Sequence, residues 1–168
     1  MVYIILEGQT DKALIKNMLS PLQEKSDFKF LGLKGIDSVK KTIENLEDLS
    51  LSQNLYFAIV DADHSFEDRN EEMNRLTKVK KIPFYIFPNN KDNGDLETLL
   101  LAKIGNKNKT IQCFNNYQEC INKKVDNKAK LYAYTTLELD KRPEEYIQTL
   151  NTDDILNDLK QELQKLFD

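Results

Sequence analysis

This 168-residue sequence has few of the residues that build disulfide scaffolds and zinc sites. It contains two cysteines, Cys113 and Cys120, and a single histidine, His64. Two cysteines are too few for a disulfide framework, and no closely spaced cysteine or histidine ligands indicate zinc. We therefore expect two reduced, half-buried thiols.

The sequence also lacks a long apolar run. No stretch approaches the roughly 20 apolar residues that a membrane-spanning helix needs, and no signal-like segment opens the chain. Its composition, 40% hydrophobic and 31% charged, is typical of a globular protein. We expect a single domain over residues 1–168 that is cytoplasmic and has no membrane partner.

The net charge of −4 is unevenly distributed along the chain. Residues 78–130 hold 11 lysines, no arginine and 5 acidic residues, a net charge of +6, which leaves −10 for the rest. A basic middle beside an acidic remainder suits an anionic polymer such as DNA or RNA that is bound through metal ions. Lysines that only keep the surface solvated would give the same composition.

Strand-like and helix-like patterns alternate over the first 90 residues. Runs of β-branched and aromatic residues predict four strands at 2–6, 28–33, 55–60 and 82–87. Amphipathic patterns between them predict helices that begin near Thr10, Asp37 and Glu67. Pro83 and Pro88 place the fourth strand near an edge. The alternation predicts an α/β fold with right-handed βαβ units and a central, mainly parallel sheet of about four strands flanked by helices.

The pattern after residue 90 is helical. The predicted helices cover 96–104, 115–124, 128–139 and 153–167. Asp95 is predicted to be the N-cap of the first of them. In the last helix, leucines at 156, 159, 163 and 166 form one stripe, which either packs on its own domain or forms a homodimer seam. We expect residues 91–168 to form a helical extension packed on a βαβ core at 1–90.

Acidic residues follow the ends of two predicted strands. Glu7 ends the first strand with Asp11 four residues later, and Asp61 and Asp63 end the third. In open α/β sheets ligands bind at the carboxyl edge, so these four carboxylates should converge there. Crowded carboxylates repel one another unless cations lie between them, and their oxygens are the ligands that Mg²⁺ and Mn²⁺ prefer. The sequence therefore predicts a divalent-metal site.

The same residues resemble a known family. Glu7-Gly8-x-x-Asp11 after an apolar strand, with Asp61-x-Asp63 after a later one, resembles the TOPRIM domain of topoisomerases, bacterial primases, RNA-maturing nucleases and overcoming-lysogenization-defect (OLD) nucleases. This resemblance covers about the first 90 residues. The segments 87–90 and 94–100 are similar to small stand-alone TOPRIM proteins related to the OLD type.

The resemblance implies a Rossmann-like TOPRIM fold and Mg²⁺- or Mn²⁺-dependent phosphodiester chemistry. Glu7 would be a metal ligand or the general acid/base. The implied metal ligands are Glu7, Asp11, Asp61, Asp63, Asp95 and Glu97. Ser65 stands where topoisomerases carry a third acid, which counts against that class. The chain is too short for the ATPase domain of full-length OLD nucleases, so an ATPase or defence-complex partner would be a separate polypeptide.

Three lysines are candidates for contact with a nucleic-acid phosphate. Lys128 and Lys130 lie two residues apart on a predicted helix and face differently, so only one can reach the acidic edge. We assign Lys130 a catalytic role, stabilising charge on the scissile phosphate, and Lys128 a nucleic-acid contact. Lys34, at the end of the second strand, is a further nucleic-acid contact.

The leading hypothesis is a metal-dependent nuclease acting on DNA or RNA. The alternative is a non-catalytic TOPRIM-like subunit that binds nucleic acid or a protein partner. A third hypothesis is a phosphoacceptor at Asp61, because strand-end aspartates also serve in receiver-like domains.

Overall fold

The computed structural model describes residues 1–22, 27–46, 54–152 and 156–166. The first part alternates strand and helix: β1 (Val2–Leu6), α1 (Gln9–Leu19) with a 3₁₀ turn (Ser20–Leu22), β2 (Phe28–Gly32), α2 (Ile36–Asn45), β3 (Leu55–Asp61), α3 (Phe66–Thr77) and β4 (Phe84–Phe87). The second part is helical: α4 (Leu96–Ile104), α5 (Lys109–Cys120), α6 (Asn127–Leu139), α7 (Pro143–Gln148) and α8 (Asn157–Gln164).

The four strands form one parallel sheet in the order β2-β1-β3-β4. The two central strands, β1 and β3, have near-continuous hydrophobic runs, as is typical of strands that are buried on both faces of a sheet. β4 lies at an edge, as its flanking prolines predict. The α/β fold class, the parallel sheet and the helical C-terminal part are confirmed, and the architecture is Rossmann-like.

Alternation along the strands supplies a separate core to each face of the sheet. Ile4 and Leu6 of β1 belong to one cluster, and Ile5 between them belongs to the other. The first cluster joins β1, β3 and β4 to α1, α4 and α6–α8, and the second packs α2 and α3 on the opposite face. Within the described residues, no helix is long and apolar enough to cross a membrane.

The leucine stripe of the last helix packs inside its own chain. Leu156, Leu159 and Leu163 are buried in the first core cluster, and Leu166 packs against it. The stripe is therefore covered and does not form a dimer seam. A helix was predicted at 153–167, and the observed helix α8 covers Asn157–Gln164. Residues 153–155 and 167 lie outside the described residues.

Some local predictions were wrong. Thr10 does not cap α1, because the helix begins at Gln9 with Gly8 as its N-cap. Both cysteines are exposed rather than half-buried, because they lie seven residues apart on the solvent side of α5. The short helix α7 was not predicted, although Pro143 at its first position is a helix-start signal.

Truncating Leu163 should test whether α8 belongs to the core. Leu163 is fully buried, so Leu163→Ala should lower the free energy of unfolding by about 2–5 kcal/mol. Leu137 on α6 is 79% exposed, and Leu137→Ala is the control, with an expected change within about 0.5 kcal/mol. Urea denaturation followed by circular dichroism measures both. Equal effects of the two substitutions would contradict this packing.

Candidate functional site

The pairing of β1 with β3 brings Glu7 beside Asp61. Leu6, the last residue of β1, lies opposite Ile59 in β3. The side chain of Glu7 extends from the next position, and its Oε1 accepts a hydrogen bond from the backbone N–H of Asp61 at 2.8 Å. Carboxylates from two central strands therefore meet at the carboxyl edge of the sheet.

Asp11 and Asp61 are buried, and each is fixed by a backbone N–H. Oδ2 of Asp11, in the first turn of α1, accepts a hydrogen bond from the N–H of Gly8 at 2.8 Å. Oδ1 of Asp61 accepts one from the N–H of Leu96 at 3.1 Å, which joins the end of β3 to the start of α4. Both contacts use the free N–H groups at helix N-termini, where negative charge is favourable.

Asp95 and Glu97 lie at the start of α4 but have different roles. Asp95 is the N-cap, and its Oδ1 accepts a hydrogen bond from the N–H of Thr98 at 2.7 Å. Glu97 is only 4% exposed, although glutamate is seldom buried without a partner. We call the five acids near this edge the acidic cluster: Glu7, Asp11, Asp61, Asp95 and Glu97.

Burial raises the pKa of the innermost acids because desolvation disfavours their charged forms. It raises the pKa of Glu7 to about 7, against the hydrogen bond from Asp61 and the charge of Arg69, which lower it. Burial and repulsion from neighbouring acids raise the pKa of Asp61 to about 9 and that of Glu97 to about 7. Burial also raises the pKa of Asp11. Perturbed carboxylates that crowd one edge are typical of functional sites.

The side chains of Asp63 and Asp61 were expected to lie on the same side of an extended chain, but they do not. The backbone of Asp63 is left-handed, with φ of 53°, and it forms an antiparallel bridge with Gly94. Its exposed carboxylate pairs with the Nη2 of Arg69 at 3.0 Å. Its negative charge nevertheless contributes to the raised pKa of Glu7, so it lies within electrostatic reach of the acidic cluster.

Arg69 is a site residue that the sequence analysis missed. Its Nε donates to the carbonyl oxygen of Asp61 at 2.8 Å, and its two terminal nitrogens bind Asp63 and Glu72. It therefore fixes the turn between β3 and α3. The available signal was an arginine one turn after the helix N-cap Ser65, positioned to reach back to the strand end.

Lys128, and not Lys130, faces the acidic cluster. Burial lowers the pKa of Lys128, but the charges of four cluster acids outweigh this and raise it. No described contact joins the Lys130 side chain to the cluster, because the two lysines project from α6 in different directions. Lys34 is exposed after β2, where the N–H of Gly35 donates to the carbonyl oxygen of Glu7, and it lines a surface groove with Asp37 and Lys41. Of the two lysines of α6, Lys128 is therefore the one within electrostatic reach of the acidic cluster.

The acidic cluster fits hard divalent cations by the chemistry of its donors. Its carboxylate oxygens suit Mg²⁺ and Mn²⁺. Among the described residues, no three histidine, cysteine or acidic side chains are arranged to hold a metal ion as they stand. Mg²⁺ commonly uses only one or two protein carboxylates, with water and substrate phosphates completing its coordination. The donors are therefore suitable, but no complete ligand set is preassembled.

The raised pKa values of the cluster predict that the metal-free protein loses stability as pH rises. The folded state holds protons on Glu7, Asp61 and Glu97 that the unfolded chain has released. Their contribution is full below about pH 4 and is lost as pH rises through about 7 to about 9. Thermal unfolding in EDTA measures this decline. Asp61→Asn, which keeps an oxygen for the Leu96 N–H, should flatten it.

Asp140→Asn is the matched control, because Asp140 is exposed at the far end of α6. This variant should keep the wild-type decline. The account of the buried charges fails if Asp61→Asn and Asp140→Asn show the same pH dependence.

Comparison with known proteins gives a family and no assigned activity. No curated protein and no solved structure matches the chain. One family model covers its whole length. The chain belongs to the family described as protein of unknown function (DUF3226), whose model matches residues 1–168.

Proposed function

We propose that this protein is a metal-dependent nuclease with a TOPRIM-like site of the OLD type. The observation that carries the proposal is the meeting of Glu7, Asp11, Asp61 and Glu97 at the carboxyl edge. Burying several acids together destabilises a fold. Such an arrangement is expected where a cation and a charged substrate complete the site.

Mg²⁺ or Mn²⁺, when bound, would supply positive charge to the phosphate oxygens and lower the pKa of a coordinated water. Asp11, Asp61 and Glu97 are the residues that would hold the cation. Each has a carboxylate of the required hard-oxygen type, and the backbone hydrogen bonds of Asp11 and Asp61 each occupy one oxygen. Asp63 would join them only by leaving Arg69.

Glu7 is suited to move a proton. Its pKa of about 7 lies near physiological pH, where a general acid or base is most effective. The hydrogen bond from the Asp61 N–H to Oε1 fixes the orientation of the carboxyl group. Glu7 would take a proton from the attacking water or return one to the leaving oxygen.

Lys128 would offset charge on the substrate phosphate. Its ammonium group faces the acidic cluster from the N-terminal turn of α6, where it lies within electrostatic reach of Glu97 and Asp61. A cation at this position stabilises negative charge that develops on the phosphate during cleavage.

The proposal includes a cytoplasmic location and DNA or RNA as substrate. Its basis is the basic stretch at 78–130, together with the order and spacing of the acidic motifs. A separate ATPase subunit or defence-complex partner would supply what full-length OLD nucleases carry in one chain. The burial of the leucine stripe removes one argument for the alternative, a subunit that only binds partners.

Asp61→Asn should abolish cleavage of single- and double-stranded DNA and RNA with Mg²⁺ or Mn²⁺, lowering the rate by about 100-fold or more. The substitution removes a cation-holding charge but retains the Leu96 hydrogen bond. Asp140→Asn should cleave at the wild-type rate, and a cooperative thermal unfolding transition for each variant would exclude misfolding. Wild-type protein that binds these nucleic acids without cutting them would support the non-catalytic alternative. Labelling of Asp61 by acetyl phosphate would support the phosphoacceptor hypothesis.

Lys128→Ala and Lys130→Ala form a matched pair for the phosphate contact. Because only Lys128 faces the acidic cluster, Lys128→Ala should lower the cleavage rate by about 10- to 100-fold. Lys130→Ala should change it less than about twofold, as expected for a surface residue. Single-turnover cleavage rates measure both. A larger loss in Lys130→Ala would restore the role assigned from the sequence.

A further inference from the structure

A pocket opens beside the acidic cluster, and most of its lining residues have no role in the chemistry described above. It has a volume of about 490 Å³ and is formed by the N-terminal parts of α1, α4, α6 and α7. Its volume is within the range of ligand sites, roughly 300–1,000 Å³. Glu97, a member of the acidic cluster, lines this pocket together with Lys128, so the pocket adjoins the cluster.

An aromatic ring stands at this pocket without a described aromatic partner. Tyr132 lines the pocket and is 56% exposed, although tyrosine usually covers part of its ring by packing. It lies one helical turn after Lys128, so the two side chains occupy one face of α6. Leu131 and Pro143 add apolar surface to the pocket lining. A flat, partly apolar ligand group would cover this ring.

An arginine and a glutamate complete the pocket. The Arg142 guanidinium makes no ion pair or side-chain hydrogen bond within the described ranges, although its backbone N–H binds Glu145. A free guanidinium of this kind suits a phosphate, which it can bind with two parallel hydrogen bonds. Glu144 offers an acceptor for the amino groups on a base edge, as acidic side chains do for cytosine.

We propose that this pocket binds one unstacked nucleotide of a single-stranded nucleic acid, next to the phosphate that is cut. The base would stack on Tyr132, and Arg142 would bind a neighbouring phosphate. This inference rests on the proposed function and deepens it, because it selects single strands over duplexes. A base in a duplex is paired and stacked on its neighbours. It could stack on Tyr132 only after it is unpaired and unstacked, which costs free energy that a single strand largely avoids.

The test uses a short single-stranded oligonucleotide carrying 2-aminopurine, in DNA and RNA forms, with Ca²⁺ in place of Mg²⁺. Stacking on Tyr132 should quench the fluorescence of wild-type complexes. Tyr132→Ala should remove this quenching and weaken binding by about 10- to 100-fold, the range for one stacked base. Tyr132→Phe, which retains an aromatic ring, should keep both the quenching and the wild-type affinity. Arg142→Gln should weaken binding and reduce its salt dependence by about one phosphate contact.

Tyr117→Ala is the matched control, because Tyr117 is a tyrosine of nearly equal exposure, 57%, on α5 outside this pocket. It should bind like the wild type. Equal affinities and equal quenching for Tyr132→Ala and Tyr117→Ala would overturn the assignment, as would tighter binding of the matched duplex.

Failure of this inference is distinguishable from failure of the proposed function. If the wild type cuts nucleic acid while Tyr132→Ala binds and cuts like Tyr117→Ala, the pocket assignment falls and the nuclease stands. If the wild type never cuts but its quenching depends on Tyr132, the pocket assignment stands and the nuclease falls.

Discussion

The hydrogen bond from the backbone N–H of Asp61 to the carboxylate of Glu7 is the contact on which the site depends. It exists because β1 and β3 are adjacent, parallel and aligned at their carboxyl ends. Two residues 54 positions apart in sequence are thereby held in one place. The other acids of the cluster lie at the starts of α1 and α4. Helix α1 follows β1 directly, and the start of α4 is joined to the end of β3 by the Leu96 N–H and by the bridge between Asp63 and Gly94.

The buried acids of the site make the free energy of folding less favourable, and the remainder of the fold must offset this. Asp11, Asp61 and Glu97 are each about 95% buried, and their mutual repulsion opposes folding when all are charged. The two core clusters supply the opposing term, since they bury apolar residues on both faces of the sheet. Helix N-termini reduce the cost locally, because the N–H of Leu96 meets the carboxylate of Asp61. The buried acids therefore lower the stability of the fold at the edge where the chemistry is proposed.

Sequence reasoning succeeded where a signal is local and failed where it depends on how one element faces another. The strands were predictable because apolar runs such as 55–60 have few alternatives, and α4 because Asp95 marks its start. The orientation of Asp63 was not, since a left-handed backbone at a non-glycine residue has no clear sequence signal. The choice between Lys128 and Lys130 depends on the rotation of α6 about its axis, which only packing fixes.

The sequence by itself determined the fold class, the approximate elements and the presence of acids at two strand ends, because hydrophobic periodicity and residue order are local properties. Tertiary structure alone decided that Glu97 is buried with these acids, that Arg69 holds Asp63, and that a tyrosine pocket opens beside them. These features need contacts between distant segments, and their geometry is set when helices pack on the sheet.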